Sequence, residues 1–233
     1  MATPSPPRLA PYLSRALSTL RPEEVRSRGG AMCVDPDQAA FAVLRQPLDP
    51  SDWRDLGSIA GDVAVLELDP GIAAHPPWVV RLRFPATIMV FAPSHLETAP
   101  DARVRVLGDH DLEDIRVLAR RSGNEHFPER GLRFGHHVGV HLDGRLVAMA
   151  GRRFVIDDHV EISWVGSDPG YRRLGLGTAV VAAVCQEILA EGKRPYLVVA
   201  DGNPAFTLYE RLGFVPVERI DGTVVTRESQ DAR

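Results

Sequence analysis

The sequence predicts an α/β protein in two parts: a smaller N-terminal α/β piece over residues 1–98 and a larger domain over residues 103–233. Three observations predict this. Short β-branched and apolar runs, such as Asp62 to Leu68 and Pro195 to Ala200, alternate with stretches whose apolar residues recur at helical spacing. A loop carrying two glycines, Gly175 and Gly177, follows a strand and opens one of those helices. Pro93 to Ala102 carries neither pattern and is the best linker.

Taken in order, residues 1–11 are rich in proline and read as frayed. Leu13, Ala16, Leu17 and Leu20 share a helical face, and residues 21–38, with Arg-Gly-Gly, two Asp and a Pro, read as loop. Ala39 to Leu44 is a short strand. Ser51 to Ile59 is a helix with Ser51 or Asp52 as its cap. Asp62 to Leu68 and Ala86 to Phe91 are strands, and Pro70, Pro76, Pro77 and Pro85 break this region into short pieces. No chemical motif stands out in residues 1–98.

The second part opens with a strand from Arg103 to Leu107. Asp109 or Asp111 then caps a helix lined by Leu112, Ile115 and Leu118. His136 to Leu142 alternates as a strand, Asp143-Gly144 turns, and Arg145 to Ile156 returns. Asp157-Asp158-His159 turns again into a strand on which Val160, Ile162 and Trp164 share one face and Glu161, Ser163 and Val165 the other. Val180, Val181, Val184 and Ile188 form the stripe of the next helix, closed by Gly192. Pro195 to Ala200 is apolar on both faces and reads as a central strand. Asn203 caps a short helix with Pro204 at its first position, and Val215 to Ile220, Asp221-Gly222 and Thr223 to Arg227 read as a closing hairpin.

Composition narrows the function. The apolar fraction is 44%, enough for a sizeable core. A net charge of -4, with no basic stripe interleaved with aromatics, argues against nucleic acid as a partner. No run approaches the ~20 apolar residues of a membrane span. The start, M-A-T-P-S-P-P-R, lacks an apolar signal core. The expectation is a soluble cytoplasmic protein without a membrane partner. Cys33 and Cys185 lie far apart, and Cys185 reads as a small buried hydrophobe rather than a disulfide partner. His136, His137 and His141 lack a Cys or acid at ligand spacing, so no metal is expected.

The chemistry is concentrated between Val160 and Phe214. Arg172, Gly175 and Gly177 stand at R-x-x-G-x-G spacing, and the helix follows at once. A helix N-terminus offers unpaired N–H groups and about half a unit of positive charge, and glycines let a ligand approach the backbone. Such a loop suits a phosphate or pyrophosphate, although relief of crowding alone would also explain its glycines. No Gly-Lys-Ser/Thr follows, which excludes a Walker loop, and the missing third glycine excludes the dinucleotide fingerprint.

These residues resemble the GNAT superfamily of acyl-CoA-dependent N-acetyltransferases. Arg172-Arg173-Leu174-Gly175-Leu176-Gly177 fits the family's Q/R-x-x-G-x-G/A loop, and Asp168-Pro169-Gly170-Tyr171 fits its lead-in. Asn203-Pro204-Ala205 and Leu208 to Phe214 fit its C-terminal signature. Many members read R-G-R-G in the loop, where this chain has Arg173 and Leu174 in the middle positions. The resemblance covers roughly residues 103–227. It extends to a bacterial branch with G-R-L-V-A-M-A-G, here Gly144 to Gly151, before an E-I-S strand, here Glu161 to Ser163.

The resemblance implies a mixed, mostly antiparallel sheet whose two middle strands splay apart to admit acetyl-CoA as co-substrate. It implies direct attack by an amine in a ternary complex, with Glu161 as the base and Tyr209 as the general acid. For each, the residues alone leave a structural role open: Glu161 as a solvated residue of an edge strand, Tyr209 as a ring packed under the sheet. Backbone groups of Val165 and Ser167 would pair with the pantetheine arm. Arg172, Arg173, Leu174, Gly175, Leu176, Gly177 and Thr178 would hold the pyrophosphate, and Asn203 and Phe206 would touch the cofactor. The implied activity is acetyl transfer to a primary amine, on a small molecule by preference. A non-catalytic acyl-CoA sensor, or an acetyltransferase acting on protein lysines or N-termini, remains as an alternative. The acceptor would be met by variable loops such as Asn124 to Gly135, and the N-terminal part would wall the acceptor pocket or form a homodimer contact.

Overall fold

The computed structural model describes residues 9–93, 96–123 and 127–228. The chain divides into two compact units, Met1–Ile88 with Val217–Arg233, and Met89–Pro216. The sequence placed its division at 98/103 and kept the C-terminus with the second part. In the structure, residues 223–226 pair with a strand of the first unit.

In the first unit, helix α1 (Tyr12–Ser18) is followed by strands β1 (Val25–Arg28), β2 (Ala31–Val34) and β3 (Ala42–Leu44), which form a three-stranded antiparallel sheet. The loop expected over residues 21–38 is therefore largely a hairpin. Its turn runs through Gly29 at φ +51 and Gly30, whose missing side chain leaves room for the Asp52 carboxylate. Helix α2 (Pro50–Ile59) is capped by Asp49, whose side chain accepts from the Ser51 N–H, and not by Ser51 or Asp52. Pro50 fills the first helical position, where no donor is needed. Strand β4 (Val63–Glu67) follows, then β5 (Trp78–Phe91), which runs through Pro85 without a break. Trp53, Leu56, Leu66, Trp78 and Val225 anchor this unit's core.

The second unit carries β6 (Val104–Leu107), α3 (Leu112–Ser122), β7 (His137–Leu142), β8 (Arg145–Ile156), β9 (His159–Ser167), α4 (Leu176–Ala190), β10 (Arg194–Ala200), α5 (Phe206–Leu212) and the start of β11 (Phe214–Arg227). Its sheet runs in the order β10-β9-β8-β7-β6, parallel between β10 and β9 and antiparallel elsewhere. Next to β10 come β5 and β11, whose residues 89–91 and 214–216 belong to this unit. Asp143 and Gly144 have φ of 51 and 73, the left-handed pair that a two-residue hairpin requires.

Val180, Val181, Val184 and Ile188 of α4 are fully buried against one face of the sheet. Each such side chain stabilises the fold by about 1.5–3 kcal/mol. Ile115, Leu118 and Ala119 of α3 join Leu146 and Met149 on the other face.

Two expectations fail here. The closing hairpin is one continuous strand, β11. Gly222 serves close packing and not a turn, because a Cβ there would lie 2.3 Å from the Phe84 ring. The regular alternation of β9 breaks at Trp164, which has φ +55 and sits where β9 carries an extra residue opposite β8, between the Ser163–Gly151 and Gly166–Met149 pairs.

Candidate active site

The site begins where β9 and β10 part. Their parallel pairing joins Arg194–Tyr196 to His159–Glu161. The residues that follow, Ile162 to Val165 on one strand and Leu197 to Val199 on the other, line a cavity of about 240 Å³ together with Arg153, Asn203 and Tyr209. This is the expected splay. The bulge at Trp164 lets four consecutive residues of β9, Ile162 to Val165, reach the same cavity.

Tyr209 stands on α5, 6% exposed, with its ring edge-on to Phe214 at 6.1 Å. Its hydroxyl makes no hydrogen bond to a described residue, and burial alone pushes its pKa up to about 12. The phenol is thus a buried, protonated donor beside the cavity.

Glu161 is the last residue of β9 paired with β10 and is 1% exposed, so it is not a solvated edge residue. It does not line the cavity itself. Arg153 does, and holds the Glu161 carboxylate in a two-pronged pair, Nε to Oε2 at 2.9 Å and Nη2 to Oε1 at 2.5 Å. No motif or spacing in the chain marks Arg153. Counted from the turn at Asp157-Asp158, an uninterrupted ladder would set it opposite Ile162, but β8 carries two residues, Arg153 and Phe154, opposite the single Glu161, between the Arg152–Ile162 and Val155–Val160 pairs.

The loop after β9 leads straight into helix α4. Asp168 caps a short turn, its Oδ1 accepting the Gly170 N–H at 2.9 Å. Arg173 and Gly175 both take left-handed backbone, φ +64 and +74. Open space surrounds the position of a Gly175 Cβ, and at Gly177 a Cβ would make ordinary contact, at 3.4 Å, with Ser167 Oγ and Leu208 Cδ1. Arg172, Arg173, Leu174 and Gly175 are exposed, while Leu176 is buried and anchors the helix start. Leu176, Gly177 and Thr178 form the first turn of the 15-residue α4, whose N–H groups and dipole favour a phosphate.

Val165 lines the cavity, whereas Ser167 lies further along β9, opposite Ala148. Asn203 lines the cavity and accepts the Ala205 N–H at 2.9 Å, stabilising the turn before α5 rather than capping the helix itself. Phe206 packs on the core and is not part of the cavity wall. Of the Asn124 to Gly135 loop, residues 124–126 lie outside the described residues, as do residues 1–8 of the segment read as frayed. Phe127 is buried and packs against Trp164 at 4.6 Å between ring centroids, the rings tilted by 58°.

His141 lies near Asp111 and Asp114, in a group whose ligand-type atoms fall within 4.8 Å of one another. The Arg105 guanidinium already occupies that group, bonding both Asp111 oxygens and approaching His141 Nε2 at 3.0 Å. Cys185 is fully buried, with its thiol pKa pushed up by burial.

A sheet split between two parallel strands, with a glycine loop and helix N-terminus just past the split, defines an acyl-CoA-dependent acyltransferase fold. Residues 104–214 match the Acetyltransferase (GNAT) family. A protein from Novosphingobium aromaticivorans assigned to the GNAT acetyltransferases shares 26% identity, with a TM-score of 0.83 over 93% of this chain and 97% of that one. A GCN5-related N-acetyltransferase from Kribbella flavida (22% identity, TM-score 0.58, 96% of each chain) shares the fold. So does a GCN5-related N-acetyltransferase-like protein from Streptococcus suis (16%, TM-score 0.56, 86% of this chain and 85% of that one). No curated protein matches this chain in sequence. Residues 104–214 thus form a domain of the GNAT acetyltransferase family, whose members carry out acyl-CoA-dependent acetyl transfer.

Proposed function

We propose that the protein transfers the acetyl group of acetyl-CoA to a primary amine of a small molecule, by direct attack in a ternary complex. The observation that carries this reading is the protonated Tyr209 hydroxyl, without a hydrogen-bond partner among the described residues, beside the cavity between the diverging strands.

Acyl transfer poses two proton problems. An alkyl amine has a pKa near ~10.4 and must lose a proton before it attacks. The leaving thiolate must gain one. Tyr209 supplies the second proton, and its elevated pKa keeps it protonated through the neutral range. Glu161 takes the first. Because Arg153 engages its carboxylate, the proton reaches it through water or as the guanidinium gives way. The loop from Arg172 to Gly177, with Thr178, grips the pyrophosphate, and the edges of Val165 and Ser167, with Asn203 and Phe206, guide the pantetheine arm. Cys185 has no part in this scheme, because direct attack needs no covalent acyl-enzyme.

The same proposal gives the N-terminal part a role distinct from that of the acetyltransferase domain, whose family match spans residues 104–214. It places the protein in the cytoplasm, without nucleic acid or membrane as partner, and leaves room for a homodimer. Among the described residues no helix is long and apolar enough to cross a membrane.

The test is thiol release from acetyl-CoA across amino acids, polyamines, aminoglycosides and short peptides. Amine-dependent release establishes the transferase and its acceptor class. A mass shift confined to protein substrates would replace the small-molecule reading. Binding of acetyl-CoA without turnover on any acceptor would favour a sensing module.

A further inference from the structure

We propose that Arg121 is a positioning residue for the pyrophosphate loop, acting through Asp168. This rests on the reading that the loop at Arg172 to Gly177 holds the diphosphate of CoA.

The loop has little packing of its own. Arg172, Arg173, Leu174 and Gly175 are all exposed, and Arg173 holds a left-handed backbone, φ +64, that a side chain disfavours. A conformation that its own residues disfavour must be fixed from outside. Its anchor on the strand side is Asp168. The residue is 2% exposed, its N–H donates to the Val147 carbonyl at 2.8 Å, its carbonyl accepts the Tyr171 N–H at 2.9 Å, and its carboxylate accepts the Gly170 N–H at 2.9 Å.

A buried carboxylate keeps its charge only with a partner. Arg121 is that partner, the one cation paired with Asp168 among the described residues. Its Nε lies 3.0 Å from Oδ2 and its Nη2 3.4 Å from Oδ1.

Arg121 comes from a rigid source. It lies in the last turn of α3, which is locked into the core by Ile115, Leu118 and Ala119 and ended by Gly123 at φ +91. The helix on one face of the sheet thus braces the anion loop that opens the helix on the other. A charged Asp168 holds the Gly170 turn and, with it, the path of the chain into Arg172. Without Arg121 the carboxylate becomes an uncompensated buried charge and the turn loosens. The loop's N–H groups then no longer converge on the diphosphate.

The test needs no acceptor. Affinity for CoA, and for pantetheine, which lacks the diphosphate, is measured by calorimetry on the full chain and on Arg121→Ala, Asp168→Asn and the double variant, with thermal melts to confirm folding. Asp168→Asn keeps an acceptor for the Gly170 N–H, so it guards against simple misfolding. Each single variant is expected to weaken CoA about tenfold, roughly 1.4 kcal/mol, with pantetheine unchanged and the double variant no worse than either single. Loss on Arg121→Ala but not on Asp168→Asn would overturn the proposal, because Arg121 would then touch the ligand itself. Equal loss for CoA and pantetheine would reduce the pair to a general structural role, and unchanged CoA affinity would remove it altogether. A wild-type protein that binds no CoA would instead overturn the proposed function.

Discussion

Replacing Tyr209 by phenylalanine separates the chemistry of its hydroxyl from the packing of its ring. The ring is 6% exposed and meets Phe214 at 6.1 Å, contacts that phenylalanine keeps. The hydroxyl makes no hydrogen bond to a described residue, so its loss orphans nothing in the fold. Stability at neutral pH is therefore expected to stay within about 0.5 kcal/mol. The reaction is another matter. A positioned general acid contributes about 10²–10⁴-fold, or roughly 2.7–5.5 kcal/mol of barrier.

Steady-state thiol release with the acceptor found in the panel should show kcat down by about 100-fold or more, with CoA affinity and melting temperature unchanged. An alkaline titration adds a second signature. Burial lifts the phenol from 10.0 to about 12, so the folded protein holds this proton more tightly than the unfolded chain does. The associated stability is complete below pH ~10 and is lost as pH rises toward ~12, about 2–3 kcal/mol in all. Tyr209→Phe should lack that loss. Undiminished kcat in a folded variant would refute the role of Tyr209 as acid. A fall in melting temperature matching the fall in activity would show that packing had been mistaken for chemistry.

The remaining predictions concern other buried groups. Glu161→Gln removes the carboxylate that Arg153, whose side chain is 13% exposed, holds in a two-pronged pair, and should destabilise the protein by about 3–5 kcal/mol in urea melts; Glu161→Gln with Arg153→Gln should recover part of this. Burial lowers the His137 pKa from 6.5 to about 4, so the unfolded chain protonates first as pH falls. Stability present above pH ~6.5 should be lost toward pH ~4 by about 3 kcal/mol, and urea melts of His137→Gln across that range should be flatter. Cys185, fully buried with its pKa pushed up, should resist iodoacetamide in the native protein, and Cys185→Ala should retain amine-dependent thiol release; rapid labelling or abolished turnover would reopen a covalent route.

Much of this protein is decided locally and was legible in the chain. The Asp143-Gly144 turn needs two left-handed residues, and its sequence offers a pair that adopts them cheaply. The stripe of α4 and the two-sided apolar run of β10 follow from periodicity alone. The glycine loop, read with Asn203 and Tyr209 at family spacing, points to the split in the sheet and its cavity.

What tertiary structure decided are pairings between residues whose partners no local rule selects. A bulge rotates Trp164 out of the alternation and brings Ser163 and Val165 to the cavity together with it. A register shift in the neighbouring hairpin aims Arg153 at Glu161. Arg121 meets Asp168 across 47 positions because two helices pack on opposite faces of one sheet. Gly222 looks like a turn residue in sequence, yet it lies in an unbroken strand because Phe84 needs its space. In each case the local sequence permits several geometries with similar energy, and the choice among them is made by packing against residues far away in the chain.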